Sequence, residues 1–381
     1  NSFCTLLAVA MTDATRCHVA DFTLAPKGGA LLRDGTFAAA TVQGITAAQL
    51  PRADAAAAGQ TAALTLVPLP KGTPGALVGA APGRTGVFAW ISADRSGRLI
   101  LRRSSTAGED VVGSVAGAEH VFALDQFFGV VTADGDVHLF LVPPALLDAR
   151  DDGDAVPRLE PLGVVPTPGG APDQYIGVAT SAGAADGTAA VAIFAHHPEN
   201  TLHVTAVALS GPAPAVEAWT SEITMPTSGL PVSWAVSSDA STVVIVPEAG
   251  HSPMVVQSTG AVATDAIART LAPANGNVVG VSAVSGTGFV FALRPKGAVT
   301  ERVDLVLLPS ANALSTVPAG GVTGLTMKRA TTVSIGTRRS PHGTFHCRVL
   351  VGRALYAPAL HLPSAKAAAG AAPTAEAPAV P

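Results

Sequence analysis

A chain of 381 residues with 48% apolar and 13% charged side chains has ample material for a core, which excludes a disordered polypeptide. Aromatics are only 4%, so the core must be filled by small and β-branched side chains, and 39 Gly with 30 Pro demand many turns rather than long helices. The formal charge of −4 supplies no electrostatic footprint for nucleic acid, so strong direct binding to it is not expected.

In chain order, the run FCTLLAVAMT (Phe3 to Thr12) reads as a strand. LLRDGTFAAATVQG follows with an Asp34-Gly35 turn between apolar segments. Gln49 to Leu64 is small and polar, and reads as a loop or a single helical turn. AWISADRSGRLILRRS repeats the turn around Asp94 and Gly97. GVVTADGDVHLFLV (Gly129 to Val142) is the clearest copy: an apolar run stops at Ala133-Asp134-Gly135, then resumes in strict alternation. That alternation places Val137 and Leu139 on one face and His138 and Phe140 on the other. Pro143 to Gln174 is rich in Pro, Gly and Asp and reads as a long surface loop joining two units. Further turns come at Asp186-Gly187 and at Asp239, with degenerate copies at Gly286 to Gly288 and at His342-Gly343.

Seven such turns recur at intervals of 40 to 60 residues. Short strands repeating with that period are the mark of a β-propeller, in which blades apolar on both faces stack radially until the ring closes. Two packed sandwiches would also contain Asp-Gly turns, but not at such comparable spacing along most of the chain. The expectation is therefore an all-β fold: one propeller over residues 1–362 with seven four-stranded blades, closed by the N-terminal strand. Residues 363–381, Ala- and Pro-rich without core-forming side chains, read as a tail or a linker onward.

VVTADGDVHLF resembles the strand–turn–strand segment of WD40-type blades, with Phe140 where Trp is usual; ISADRSGRLIL and VSSDASTVVIV are looser matches. The Gly-His dipeptide that opens such repeats in that family does not precede these segments, and the Trp-Asp that ends them is absent. The chain thus resembles a divergent WD40-like propeller. The resemblance implies an intracellular scaffold whose partners are other protein subunits of a large assembly. It leans to the small-subunit processome and ribosome biogenesis in the nucleolus.

Motifs for chemistry are few. The chain has no Gly-x-Ser-x-Gly elbow and no phosphate-binding loop. Asp148, Asp151, Asp152 and Asp154 cluster without the alternating spacing of a calcium loop. His342 and His346 precede Cys347, but a fourth zinc ligand is not visible. Cys4, Cys17 and Cys347 make no disulfide framework. His196-His197 reads as a blade-edge turn, and Trp90, Trp219 and Trp234 as core. No catalytic, cofactor or metal residue is assigned. Basic residues gather in MKRATTVSIGTRR, and Arg329, Arg338 and Arg339 are the expected exposed contact patch for a partner. The competing expectation is a lactonase- or glycosidase-like hydrolase with acids and a histidine drawn from several blades to the central channel. No apolar run is long enough to span a bilayer.

Overall fold

The computed structural model describes residues 11–362 except 25, 27, 33, 42, 50–62, 70–71, 81–87, 105–107, 125, 143–157, 167–174, 185, 198–199, 227–229, 248–250, 272–275, 285–287, 297–300, 311–312, 314–315, 328–331 and 340–344. The chain opens with β1 (Met11–Asp13), one helical turn α1 (Ala14–Cys17) and β2 (His18–Asp21). Asp13 caps that turn by accepting the Thr15 N–H at 2.8 Å.

Seven sheets follow as antiparallel meanders, each strand hydrogen-bonded to the next, which makes a seven-bladed propeller. Blade I is β3 (Gly28–Leu31), β4 (Phe37–Thr41), β5 (Gly44–Gln49) and β6 (Ala63–Pro68). Blade II is β7 (Gly75–Ala80), β8 (Phe88–Ala93), β9 (Arg98–Arg103) and β10 (Glu109–Ser114). Blade III is β11 (Ala118–Leu124), β12 (Phe127–Thr132), β13 (Asp136–Leu141) and β14 (Glu160–Pro166). Blade IV is longest, with β15 (Tyr175–Thr180), β16 (Thr188–His197), β17 (Thr201–Ser210) and β18 (Val216–Thr224).

Blade V departs from the pattern. Three strands, β19 (Ser233–Val236), β20 (Thr242–Val246) and β21 (Met254–Gln257), are followed by a helix, α2 (Thr264–Leu271), where a fourth strand would come. Ile267 and Leu271, one helical turn apart, are buried with Phe289 and Phe291 of the next blade. Blade VI is β22 (Gly276–Ala283), β23 (Phe289–Pro295), β24 (Arg302–Leu308) and β25 (Val317–Thr323). Blade VII is β26 (Val333–Arg339), β27 (Phe345–Val351) and β28 (Ala354–Tyr356), completed by β2 from the other end of the chain.

The N-terminal segment does close the ring, but through His18–Asp21 rather than Phe3 to Thr12. Met11–Asp13 instead adds a parallel fifth strand to β25 of blade VI. Residues 3–10 lie outside the described residues. The expected loop from 143 to 174 also needs correction, because it contains β14, the outer strand of blade III. Pro161, Gly163 and Pro166 hide the strand pattern in the sequence, and a register shift opposite Leu139 and Phe140 breaks the alternation. Even so, Leu162 and Val165 reach the core.

Packing follows the alternation of the hairpin from Gly129 to Val142. Val137 and Leu139 are buried with Ile193 and Val207 of blade IV, while Phe140 is buried with Leu101 and Val112 of blade II. Each side chain so sealed between blades contributes about 1.5–3 kcal/mol. The first strands β3, β7, β11, β15, β19, β22 and β26 together line a central channel of about 460 Å³.

Candidate functional site

Turn chemistry accounts for four of the aspartates singled out above. In four blades the turn reads Asp-x-Ser/Thr, and the carboxylate accepts the backbone N–H two residues on. Asp34 takes it from Thr36 at 3.0 Å, Asp94 from Ser96 at 2.9 Å, Asp186 from Thr188 and Asp239 from Ser241, both at 3.0 Å. The Ser or Thr hydroxyl donates to the same carboxylate in every case. This is the Asx-turn, a local staple. The Ser96 hydroxyl, with Arg98, holds the Asp94 carboxyl well below the usual range, and the Thr188 hydroxyl does the same for Asp186. Burial pushes Asp239 up, but bonds from Ser237 and Ser241 outweigh it and leave the carboxyl low. Gly35, Gly97, Gly135 and Gly187 all take positive φ, and so does Ala240, at 58°. Residues 286 and 342–343 lie outside the described residues, as do Asp148 to Asp154 and the side chains of His196 and His197.

The channel is another place where these elements bring polar groups together. Its described lining is chiefly Gly, Ala, Val, Ile and aromatic, with Thr180, Ser233, Ser282, Ser334 and Thr337 as hydroxyls and Arg338 as the one charge. Three of these hydroxyls, Ser233, Ser282 and Thr337, bind neighbouring blades to each other. Ser233 Oγ accepts the Val281 N–H at 3.0 Å, joining blades V and VI. Ser282 Oγ accepts the Thr337 N–H at 3.0 Å, joining VI and VII, and the Thr337 hydroxyl donates to the Ala283 carbonyl. Trp234 lines the channel half-buried, donates from Nε1 to the Val178 carbonyl at 2.8 Å and stacks on Phe194 with ring centroids 4.7 Å apart. Trp90 and Trp219 are buried, as expected of core residues.

Arg338 corrects the expectation of an exposed patch, for it is only 3% exposed. Its Nε donates to the Leu31 carbonyl of blade I at 3.0 Å, and an Nη donates to the Ser181 carbonyl of blade IV across the ring. The Arg339 N–H adds a bond to the Ala182 carbonyl at 3.2 Å. The end of β26 therefore crosses the channel and closes it where the first-to-second-strand turns lie. Arg339 itself is half-buried over the Phe345 ring at 5.7 Å, and Arg329 lies outside the described residues. Sequence reasoning missed Arg348, also 3% exposed, whose Nη2 donates to the Gly35 carbonyl at 2.7 Å. Burial lowers its pKa to about 10. A lone Arg in a strand of mixed residues carries no signal that it is inside.

Among the described lining residues there is no carboxylate, imidazole or thiol, so no acid–base pair faces the channel. Among the described residues no three His, Cys, Asp or Glu side chains gather as a metal group. Cys17 and Cys347 are buried and free, and burial pushes their thiols up to about 11 and about 12, which suits inert core residues. Among the described residues no helix is long and apolar enough to cross a membrane.

No family model matches the chain, and no curated protein does. Solved structures of similar shape include a chain of the mitotic checkpoint complex, with 10% identity and a TM-score of 0.46 over 93% of each chain. The BBS1N chain solved in complex with ARL6DN has 12% identity and a TM-score of 0.46, over 93% of this chain and 97% of that one. The β-propeller domain of Cps50 (Swd1) from Myceliophteria thermophila has 11% identity and a TM-score of 0.40, over 88% and 97%.

Proposed function

We propose that this propeller is a non-catalytic scaffold that presents its ring faces and blade edges to other protein subunits. One observation carries the reading: four turn aspartates, three channel hydroxyls and the channel arginine are spent on holding the ring together. Asp34, Asp94, Asp186 and Asp239 close turns, Ser233, Ser282 and Thr337 join blades, and Arg338 spans three of them. What is left to act is the outer surface. A hydrolase at the channel would need several acids and a histidine at one mouth, and the described lining offers Arg338 alone as a charge. Arg339 and Arg329 remain the proposed contact residues for a partner. An intracellular setting goes with the scaffold reading. The small-subunit processome is the narrowest form of it, and no described residue selects that particle over another assembly.

The test is sedimentation of the tagged full chain from its own cells at low and high salt. The scaffold reading expects a particle far heavier than the chain, which Arg339→Glu with Arg329→Glu shrinks most at low salt, since rim charges act through association. A monomer under all conditions, or turnover of lactone or glycoside substrates by the purified chain, would overturn it.

A further inference from the structure

The outer edge of a blade exposes backbone N–H and C=O groups, and a propeller must cover them or leave them for a partner. In this ring the next blade often supplies the cover. The chain leading into β14 of blade III donates from the Leu159 N–H to the Val112 carbonyl on β10, at 3.1 Å. In the same way the chain leading into β18 donates from the Ala215 N–H to the Leu162 carbonyl on β14, at 3.0 Å. Blade VI is covered by β1 and by the His361 N–H on the Ala319 carbonyl at 2.8 Å. On β21, the Ala263 N–H reaches the Val255 carbonyl at 2.8 Å.

By that rule the cover for β18 would come from the chain leading into a fourth strand of blade V. That blade has α2 instead, turned toward blade VI through Ile267 and Leu271. Among the described residues no backbone group outside its own sheet bonds to Val216–Thr224. Val216 is 60% exposed, and Glu217, Ala218, Thr220, Glu222 and Thr224 are exposed as well.

The chemistry of this edge is specific. A bulge between Ala206 and Val207 makes Ala218 the extra residue, so that Glu217, Thr220 and Glu222 stand opposite Val207, Thr205 and His203. Those partners are successive positions on one face of β17, and the bulge thus brings both carboxylates onto a single side of the edge. A second copy pairing β18 with β18 would set these carboxylates near their own kind, which disfavours self-association.

We propose that the outer edge of β18 accepts an extended segment of a partner protein as an added strand, with basic side chains four residues apart facing Glu217 and Glu222. This deepens the scaffold reading and rests on it.

The probe is a nine-residue peptide of Val and Thr with Lys at its third and seventh positions. Controls are the same peptide with Glu for Lys, and the Lys peptide with alternate backbone amides methylated. The proposal expects the Lys peptide to bind and to slow hydrogen exchange in β18, and both controls to bind about tenfold more weakly or not at all. Glu217→Lys with Glu222→Lys, both at exposed positions, should reverse the preference between the Lys and Glu peptides. Equal binding of the methylated peptide, an unchanged preference in the variant, no protection of β18, or dimerisation through β18 would each overturn the proposal. A heavy particle that persists in the Glu217→Lys/Glu222→Lys variant would sink the edge assignment and leave the scaffold reading standing.

Discussion

Two seams of the ring do the same work with different chemistry. Between blades VII and I, buried guanidinium groups reach backbone carbonyls: Arg338 to Leu31 and Arg348 to Gly35. Between blades IV and V, indole N–H groups do so: Trp219 Nε1 donates to the Ala240 carbonyl at 2.5 Å and Trp234 Nε1 to Val178 at 2.8 Å. An indole brings its own apolar area, so the seam is packed and bonded by one side chain. A guanidinium must be stripped of water first, and the low pKa of Arg348 records that cost. The arginine seam is therefore the one whose loss does most damage. It is also where the two ends of the chain meet, since β2 completes blade VII.

The largest effect should come from Arg338→Ala. It leaves the Leu31 and Ser181 carbonyls without their donor and opens a void at the closed end of the channel, so the expected loss is about 3–5 kcal/mol in urea unfolding. A loss under about 1 kcal/mol would mean that the channel end is held by something else. Next is Gly135→Val in blade III, away from both seams. Gly135 sits at φ 84°, and a β-branched residue there should cost about 2 kcal/mol in backbone strain. An unchanged melting temperature would show that this hairpin is not held as described. Trp219→Phe keeps most of the ring area and removes one hydrogen bond, for about 1 kcal/mol. If it costs as much as Arg338→Ala, the contrast between the seams is wrong.

The smallest effect is with pH. Asp94, Asp186 and Asp239 have carboxyls held below their ordinary values, so their contribution is present above about pH 4 and fades as pH falls through their lower folded-state values. Asp304 works in the opposite sense, because burial pushes its carboxyl up despite Arg302. Stability should therefore hold level from neutral pH to about 5 and decline below about 4, with a shallower decline in Asp94→Asn. An identical acid profile for that variant would remove Asp94 from the account.

The blade number was legible in the sequence because turns need particular residues, and each blade displays one. Which hairpin the turn closes was not. Asp34, Asp186 and Asp239 lie between the first and second strands of their blades, but Asp94 and Asp134 lie between the second and third. Both hairpins call for the same positive φ and the same Asx-turn, so the residues do not distinguish them. That shift explains the unequal spacing of 60 and then 40 residues around Asp94. The helix in blade V was hidden for another reason: TDAIARTL is only eight residues, too short for a 3.6-residue period to declare itself. Arg338 misled because Thr-Arg-Arg at a strand end reads as solvated charge, whereas ring closure carries it across the channel.

The central claim is that the stitches between blades make the ring one rigid body whose outside is free to bind. Native-state hydrogen exchange at rising urea tests it most directly. The account predicts that amides of β19 and β20 at the tryptophan seam and of β26 and β27 at the arginine seam merge into one global opening, with equal free energies. Separate opening of either group, several kcal/mol below the other, would contradict it.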